Sequence, residues 1–243
     1  MELTVVGYYG GSQKGTAATS SYIIKSDEGA VLIDCGAGSF SKLSQVINVD
    51  TIDNIIISHY HYDHFSDIGA LIYNRLIKMG IGKISNPLSI YTQEDGVIST
   101  TLDLGKSVNL NFINERSNLN LFGMRFDFLV TQHPIKCLAV RIRKDHKTIV
   151  YTADSAFSED LVTFALDADL LITENSLYND IDGSSSGHMN TSDTARLINE
   201  ANVNKAVLTH LPIYGNHTDI LTQVNNQTEV EVILASEFLK VKV

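Results

Sequence analysis

The 243-residue chain has no tryptophan, three prolines (Pro87, Pro134 and Pro212) and two cysteines (Cys35 and Cys137). Two cysteines cannot build a disulfide framework, and neither sits in a Cys-x-x-Cys pair. Both read as small buried apolar residues in a reduced compartment. No apolar run approaches the ~18–20 residues of a membrane helix. The opening Met1-Glu2-Leu3-Thr4-Val5-Val6-Gly7 lacks the basic start and long apolar stretch of a signal peptide, so the expected location is cytoplasmic. Basic residues are few as well: 18 Lys and Arg face 28 Asp and Glu, a formal net charge of −10. Proteins that grip long nucleic acid neutralise phosphates with a basic face, so this balance argues against an extensive nucleic-acid surface. It leaves room for a small phosphorylated substrate held through a bound metal. Low-complexity runs, charge blocks and short repeats are lacking. The one Ser/Gly-rich stretch, Asp182-Gly183-Ser184-Ser185-Ser186-Gly187, reads as a mobile loop and not as a linker, so residues 1–243 are expected to form a single domain.

Hydrophobic residues make up 44% of the chain, too many for a disordered polymer and enough for a sizeable core. Their pattern alternates strands and helices. Strands are predicted at Leu3–Gly7, Ser21–Ser26, Ala30–Asp34 and Asn54–Ser58, the last a continuous apolar run of strand length. Ser39–Ile47 reads as a short helix. Asp67–Met79 reads as another, with Ile68, Leu71, Ile72, Leu76 and Met79 at helical spacing. Strands follow at Ser89–Thr92, Val108–Ile113 and Met124–Thr131. Lys136–Arg143 and Thr148–Thr152 read as a hairpin. The remainder is a helix (Glu159–Leu166), a strand (Leu170–Thr173), a helix (Thr191–Ala201), a strand (Val207–His210), a helix near Asp219–Asn225 and a strand (Glu231–Leu234). Two βα halves, packed sheet to sheet with helices outside, account for this order.

The strongest chemical signal is His59-Tyr60-His61-Tyr62-Asp63-His64, directly after a buried strand and before an amphipathic helix. In an extended segment His59 and His61 point to one side. The chain then turns, so that Asp63 and His64 can point back, giving imidazole and carboxylate groups suited to zinc. Tyr60 and Tyr62 are expected to point away. Further ligands should lie at other strand ends, where His133, Asp154 and His210 each follow an apolar strand.

This arrangement resembles the metallo-β-lactamase fold superfamily of binuclear metal hydrolases, over nearly the whole chain from Asp34 to His210. The resemblance implies an α+β fold, a four-layer αβ/βα sandwich with its metal site at the sheet edge. In that pattern His59, His61 and His133 hold one divalent ion, Asp63, His64 and His210 a second, and Asp154 bridges both. Zinc is the metal expected, with manganese the alternative. Asp34 corresponds to an acid that supports the site, and it equally reads as a turn cap. Two such ions ~3.5–4 Å apart can share a hydroxide, which Asp63 would orient.

In detail the chain looks most like the ribonuclease Z branch of phosphodiesterases. Gly7-Tyr8-Tyr9-Gly10-Gly11 is similar in style to that branch. Leu171-Ile172-Thr173-Glu174-Asn175-Ser176 falls where it has His-Glu-Ala-Thr, and His188-Met189-Asn190 where it has His-Ser-Thr. By that mapping Glu174 orients His188, which donates a proton to a phosphoryl oxygen or the leaving group. Thr173 replaces the leading His, and Met189-Asn190 replaces Ser-Thr. Only 20 residues separate His133 from Asp154, too few for the arm that grips tRNA in that branch. The expected activity is therefore hydrolysis of a small or flexible phosphodiester, such as a cyclic nucleotide or a short RNA end. The rivals are a tRNA 3′ endonuclease without the arm and a lactone, ester or thioester hydrolase, the latter needing neither Glu174 nor His188. A homodimer is what the resemblance suggests. His146, His217 and the turn from Gly10 to Gly15 carry no expected chemistry.

Overall fold

The computed structural model describes residues 1–96, 101–103 and 105–243. Its first half contains β1 (Glu2–Tyr9), β2 (Ala18–Thr19), β3 (Ser21–Lys25), β4 (Ala30–Ile33), α1 (Ser39–Val46), β5 (Asn54–Ile56), α2 (Tyr62–Phe65), α3 (Ile68–Gly80), β6 (Leu88–Thr92) and β7 (Val108–Phe112). The second half contains β8 (Asn118–Leu121), β9 (Met124–Val130), β10 (Leu138–Lys144), β11 (Lys147–Tyr151), α4 (Glu159–Ala165), β12 (Leu170–Glu174), α5 (Thr191–Glu200), β13 (Lys205–Thr209), α6 (His217–Asn225), β14 (Glu231–Leu234) and β15 (Lys240–Lys242). Among these elements one sheet runs β15-β1-β3-β4-β5-β6-β7 with β2 beside β1, and the other β14-β13-β12-β11-β10-β9-β8.

The two inner faces pack on each other. Val5, Tyr22, Ile24 and Ile33 of the first sheet meet Phe126, Val140, Ile149 and Ile172 of the second. The outer faces are covered by helices. Leu43, Ile68, Leu71 and Ile72 of α1 and α3 pack on Ile23, Leu32 and Ile55, while Leu161, Ala195, Ile198 and Ile220 of α4, α5 and α6 pack on Val150, Leu171 and Leu208. This is the expected αβ/βα sandwich. Being covered on both faces, β5 is apolar on both, with Ile55 facing the helices and Ile56 the opposite sheet. No helix among the described residues is long and apolar enough to cross a membrane.

Three local departures have physical causes. On α3 the buried position after Ile72 is taken by Arg75, and Leu76 is 40% exposed. The Arg75 guanidinium is buried because it donates to Asp53 Oδ1 and the Asn86 carbonyl, both at 3.0 Å. Strand β8 was not expected. It pairs with β9 through a turn whose central residues Phe122 and Gly123 both have left-handed φ, 53° and 68°. Phe122 tolerates this because Ser26 Oγ donates to its carbonyl at 2.8 Å and because Gly29, lacking a Cβ, admits its ring. The Ser/Gly stretch is not a loose loop: Ser184–Ser186 form a 3-10 turn, closed by hydrogen bonds from Ser186 and His188 to the Gly183 carbonyl.

In each sheet one side is parallel out to its edge, β4 through β7 and β11 through β14. The carboxyl ends of such strands leave a crevice where ligands commonly bind. Asp34, the His59–His64 segment, Asp154, Glu174 and His210 all emerge there.

Candidate metal centre

After β5 the chain stays extended through Ser58, His59 and His61, then closes the one-turn helix α2, which turns Asp63 and His64 back toward His59. The helix docks tightly on the loop after β4. The Cys35 N–H donates to the His64 carbonyl at 2.7 Å, and a Cβ on Gly36 would lie 2.0 Å from the Asp63 carbonyl oxygen. As expected, the intervening tyrosines turn away: Tyr60 donates to the Gln93 carbonyl at 2.8 Å, and Tyr62 is 79% exposed. Asp34, Ala153 and His210 each adopt a left-handed φ, 57°, 50° and 50°, just beyond β4, β11 and β13. Such strained residues gather at functional sites. Here the bends aim Asp34, Asp154 and His210 into one cleft.

Two clusters result, each with its ligand atoms within 4.8 Å of one another. One holds His59, His61, His133 and Asp154, the other Asp63, His64, Asp154 and His210. Asp154 belongs to both: its Oδ1 lies 3.3 Å from His64 Nε2, and its Oδ2 lies 3.5 Å from His59 Nε2 and 3.3 Å from His210 Nε2. In the first cluster His61 Nδ1 sits 3.2 Å from His59 Nε2 and 3.0 Å from His133 Nε2. In the second, Asp63 Oδ2 accepts from the Gly11 N–H at 2.7 Å and lies 3.0 Å from His210 Nε2.

The outward-facing nitrogens fix the inward-facing ones. His64 Nδ1 meets Asp34 Oδ2 at 2.8 Å, and His133 Nδ1 meets the Gly187 carbonyl at 3.0 Å. Ser58 Oγ donates to Asp34 at 2.8 Å and so accepts from His59 Nδ1 at 3.0 Å. Ser176 Oγ donates to Glu174 Oε2 at 2.6 Å and so accepts from His210 Nδ1 at 2.8 Å. Each partner holds a proton on Nδ1 and turns Nε2 inward, the arrangement typical of metal-ligating histidines. Asp34 also accepts from the Ser58 N–H at 2.8 Å and from Tyr151 at 3.0 Å. It is the anchor beneath the centre, and its acceptor sites are filled. A different observation speaks for cations: His64 Nε2 and Asp154 Oδ1 are fully buried and, although 3.3 Å apart, neither meets a partner in hydrogen-bonding geometry. Buried polar atoms rarely go unpaired. A hard or borderline divalent cation suits such a set of imidazole nitrogens and carboxylate oxygens.

Protonation separates the clusters. Burial lowers the pKa of His59 to about 4, helped by the neighbouring His64 charge, and burial also lowers His61 and His133. For His64 and His210 burial works the same way, but Asp154 with Asp34 or Asp63 outweighs it and both are raised. Burial would raise Asp63 and Asp154, yet the surrounding imidazoles hold both carboxylates well below the usual range. The first cluster therefore presents free lone pairs at neutral pH. The second holds protons that a cation must displace.

Beside these lies a third group. Glu174, fully buried, accepts from the Ser155 N–H at 3.1 Å and from His188 Nδ1 at 3.0 Å on Oε1, and from the Ser176 N–H at 3.1 Å and Oγ at 2.6 Å on Oε2. Four donors saturate the carboxylate, which makes it an anchor for His188 and not a ligand. Burial lowers the His188 pKa, but the Glu174 hydrogen bond and charge, with Asp154 and Asp63 beyond, raise it to about 9. Nε2 is left as the nitrogen available to a substrate.

Residues 30–211 match the β-lactamase superfamily domain. The chain belongs to that superfamily. It is 37% identical over 237 residues to the Bacillus subtilis (strain 168) protein named "Probable metallo-hydrolase YhfI", covering 97% of each. The crystal structure of YhfI, a metallo-β-lactamase fold protein, superposes with a TM-score of 0.96 at 34% identity, covering 99% of this chain and 98% of that one. Ribonuclease Z of Archaeoglobus fulgidus is 21% identical over 273 residues, 88% of each chain. The short form of human tRNase Z shares the fold, with a TM-score of 0.75 at 18% identity over 100% of this chain and 99% of that one.

Within this superfamily fold, the expected His, Asp and Glu residues all converge. The two positions that depart from the ribonuclease Z pattern at His188 have other duties. Met189 is buried in the helical layer, and Asn190 caps α5 by accepting from the Ser192 and Asp193 N–H groups, both at 3.0 Å. Thr173 is buried and donates to the Glu174 carbonyl at 3.1 Å. Ser58, Tyr151, Ser176 and the Gly11 N–H were not foreseen, because each also needs a partner remote in sequence: Asp34 for Ser58 and Tyr151, His210 for Ser176 and Asp63 for Gly11. Ser58, adjacent to His59 at a strand end, was the one with a local cue. Cys35 and Cys137 are buried as expected, and Cys137 Sγ lies 3.5 Å from His59 Nδ1. His146 is exposed, and His217 donates to the Pro212 carbonyl at 2.7 Å.

Proposed function

We propose that this metallo-hydrolase of the β-lactamase fold is a binuclear phosphodiesterase for small or flexible phosphodiesters, using zinc or manganese. The observation that carries the reading is the Glu174–His188 pair, 3.0 Å apart beside two clusters that share Asp154. His59, His61 and His133 would hold one cation, and Asp63, His64 and His210 the other, with Asp154 between them. Bound there, such a pair supplies Lewis acidity, bringing the ionisation of water toward neutral pH and neutralising charge on a phosphoryl oxygen.

The chain's own groups complete the reaction. Asp63, held by the Gly11 N–H, accepts a hydrogen bond from the attacking water and keeps it in line. His188, oriented through Nδ1 by Glu174, gives its Nε2 proton to the departing alkoxide, a contribution typically worth ~10²–10⁴-fold. An alkoxide is a poor leaving group from a diester, which is why such a donor matters here. The ribonuclease Z relatives favour a phosphodiester. The net charge of −10 disfavours a long RNA, as does the simple β10–β11 hairpin filling the interval between His133 and Asp154. A carbonyl ester, lactone or thioester is the second reading, since the same clusters serve it without His188.

The test is a panel of bis(p-nitrophenyl) phosphate, a 2′,3′-cyclic nucleotide, a lactone and a thioester, assayed with zinc and with manganese. Diesters are expected to turn over best, with His61→Ala abolishing both hydrolysis and one equivalent of metal. His188→Ala should lower kcat for the cyclic nucleotide by ~10²–10⁴-fold, and far less for bis(p-nitrophenyl) phosphate, whose phenolate leaves unaided. Faster turnover of the lactone or thioester, or His61→Ala with full metal content, overturns the reading.

A further inference from the structure

Next to His188 and His210 lies a cleft of about 230 Å³, floored by Gly10 and Gly11 and walled by Pro212, Ile213 and Tyr214. Ligand sites that engulf a whole drug-sized molecule run to ~300–1,000 Å³, so this cleft has room for one arm of a substrate. No Lys or Arg is among the described residues that line it. Ile213 and Tyr214 stand 44% and 47% exposed at its mouth. Large apolar side chains grouped beside a polar centre mark a binding surface.

The walls are fixed before any ligand arrives. The Gly10 N–H donates to the Leu211 carbonyl at 3.0 Å, tying floor to wall, and His217 holds the Pro212 carbonyl at 2.7 Å. The Tyr178 hydroxyl donates to the Tyr214 carbonyl at 3.3 Å, and the two rings lie 5.7 Å apart. This contact needs Gly215, where a Cβ would fall 2.1 Å from the Tyr178 oxygen. Tyr214 is thus backed by a second ring and presents its own to the cleft mouth.

We infer that this cleft receives the leaving arm of the substrate as an uncharged flat group, a nucleobase or an aryl ring stacked on Tyr214. The inference rests on the hydrolase reading of the adjoining clusters. It narrows the substrate to diesters whose arm carries no further phosphate or carboxylate. Apart from His188 and His210, which face the reacting phosphate, the lining is glycine, serine, proline, isoleucine and tyrosine and offers no cation to neutralise one. Aromatic stacking of a base is worth about five- to 150-fold in affinity per ring.

The experiment is calorimetric titration of zinc-loaded wild-type, Tyr214→Ala and Tyr214→Phe proteins with phenylphosphonate, methylphosphonate and 4-phosphonobenzoate, none of which is hydrolysed. Phenylphosphonate is expected to bind wild type about tenfold tighter than methylphosphonate. Tyr214→Phe should keep that preference, Tyr214→Ala should lose it with methylphosphonate binding unchanged, and the ring carboxylate should cancel it. Equal binding of the phenyl and methyl compounds to wild type, or a preference that survives in Tyr214→Ala, overturns the inference. Turnover of bis(p-nitrophenyl) phosphate tests the hydrolase reading separately, so either can fail alone.

Discussion

His188 is useful as a proton donor only while it keeps its proton, and Glu174 is what keeps it there. The carboxylate is buried, saturated by Ser155 and Ser176, and 3.0 Å from His188 Nδ1. Replacing it with the neutral isostere removes the charge and preserves the shape. In Glu174→Gln the opposing influence, burial, is left with less against it, and the His188 pKa must fall from about 9. The protonated fraction then declines at lower pH. The alkaline limb of the kcat profile for a 2′,3′-cyclic nucleotide, whose leaving group is an alkoxide, is expected to move to lower pH, with the acid limb unmoved. An alkaline limb that stays in place shows that another group donates the proton. The direction holds whatever cations sit nearby, because they act on both proteins alike. At this scale the sequence was most readable where function is local. His59 to His64 declare themselves within six residues, whereas Ser176 and Tyr151 touch the site through contacts spanning 34 and 117 positions. A hydroxyl that matters only through such a contact leaves no mark in its own neighbourhood.

Elements were legible in proportion to how apolar and periodic they are. Strand β5 shows as Ile55-Ile56-Ile57, and Asp67–Met79 shows its helical stripe, but the stripe could not reveal that Arg75 is the residue buried there. That needed Asp53 and Asn86 from two other segments. The half-polar β8 and its Phe122-Gly123 turn were invisible for the same reason, since Ser26 and Gly29 hold the turn from the opposite sheet. The turn at Gly10 is the instructive case. It read as an idle glycine-rich loop, and it proves to be the surface against which the His210 ring rests. A Cβ on Gly10 would lie 2.5 Å from both Cε1 and Nδ1 of His210, nearer than side-chain atoms approach. Gly10→Ala is therefore expected to push that imidazole off its Ser176 partner. Loss of such a supporting contact typically costs 10–100-fold in metal affinity. The metal concentration for half-maximal activity should rise by about that factor, while the unfolding midpoint of the chelator-treated protein changes little. Unaltered metal dependence would mean that His210 is not a ligand.

Across the whole molecule the centre is a buried concentration of negative charge in a chain already carrying −10. Asp34, Asp63 and Asp154 lie within it, all buried. Without metal, the chain answers by keeping protons on His64 and His210, both raised above their ordinary 6.5 once Asp154 and its neighbours outweigh burial. A group with a raised pKa in the folded state contributes stability that is complete below its unfolded value, about 6.5, and is lost as pH rises through the folded value. Metal-free protein should accordingly grow less stable from about pH 6.5 upward. The depressed Asp63 and Asp154 do not interfere, because their contribution disappears only when the pH falls below about 4. Cations bind the deprotonated imidazoles, so their affinity, and the stability they add as RT ln(1 + [L]/Kd), must increase over the same range. The two slopes therefore diverge. Thermal unfolding of zinc-loaded and chelator-treated protein between pH 6 and pH 8.5 is expected to show a Tm gap that widens with pH. Each tenfold gain in affinity adds about 1.4 kcal/mol. Calorimetry in buffers of different ionisation enthalpy should find most of the proton release with the cation that enters the Asp63, His64 and His210 cluster, and little with the one bound by His59, His61 and His133. A gap independent of pH, or protons released equally with both cations, would mean that the carboxylates do not charge the second cluster in this way.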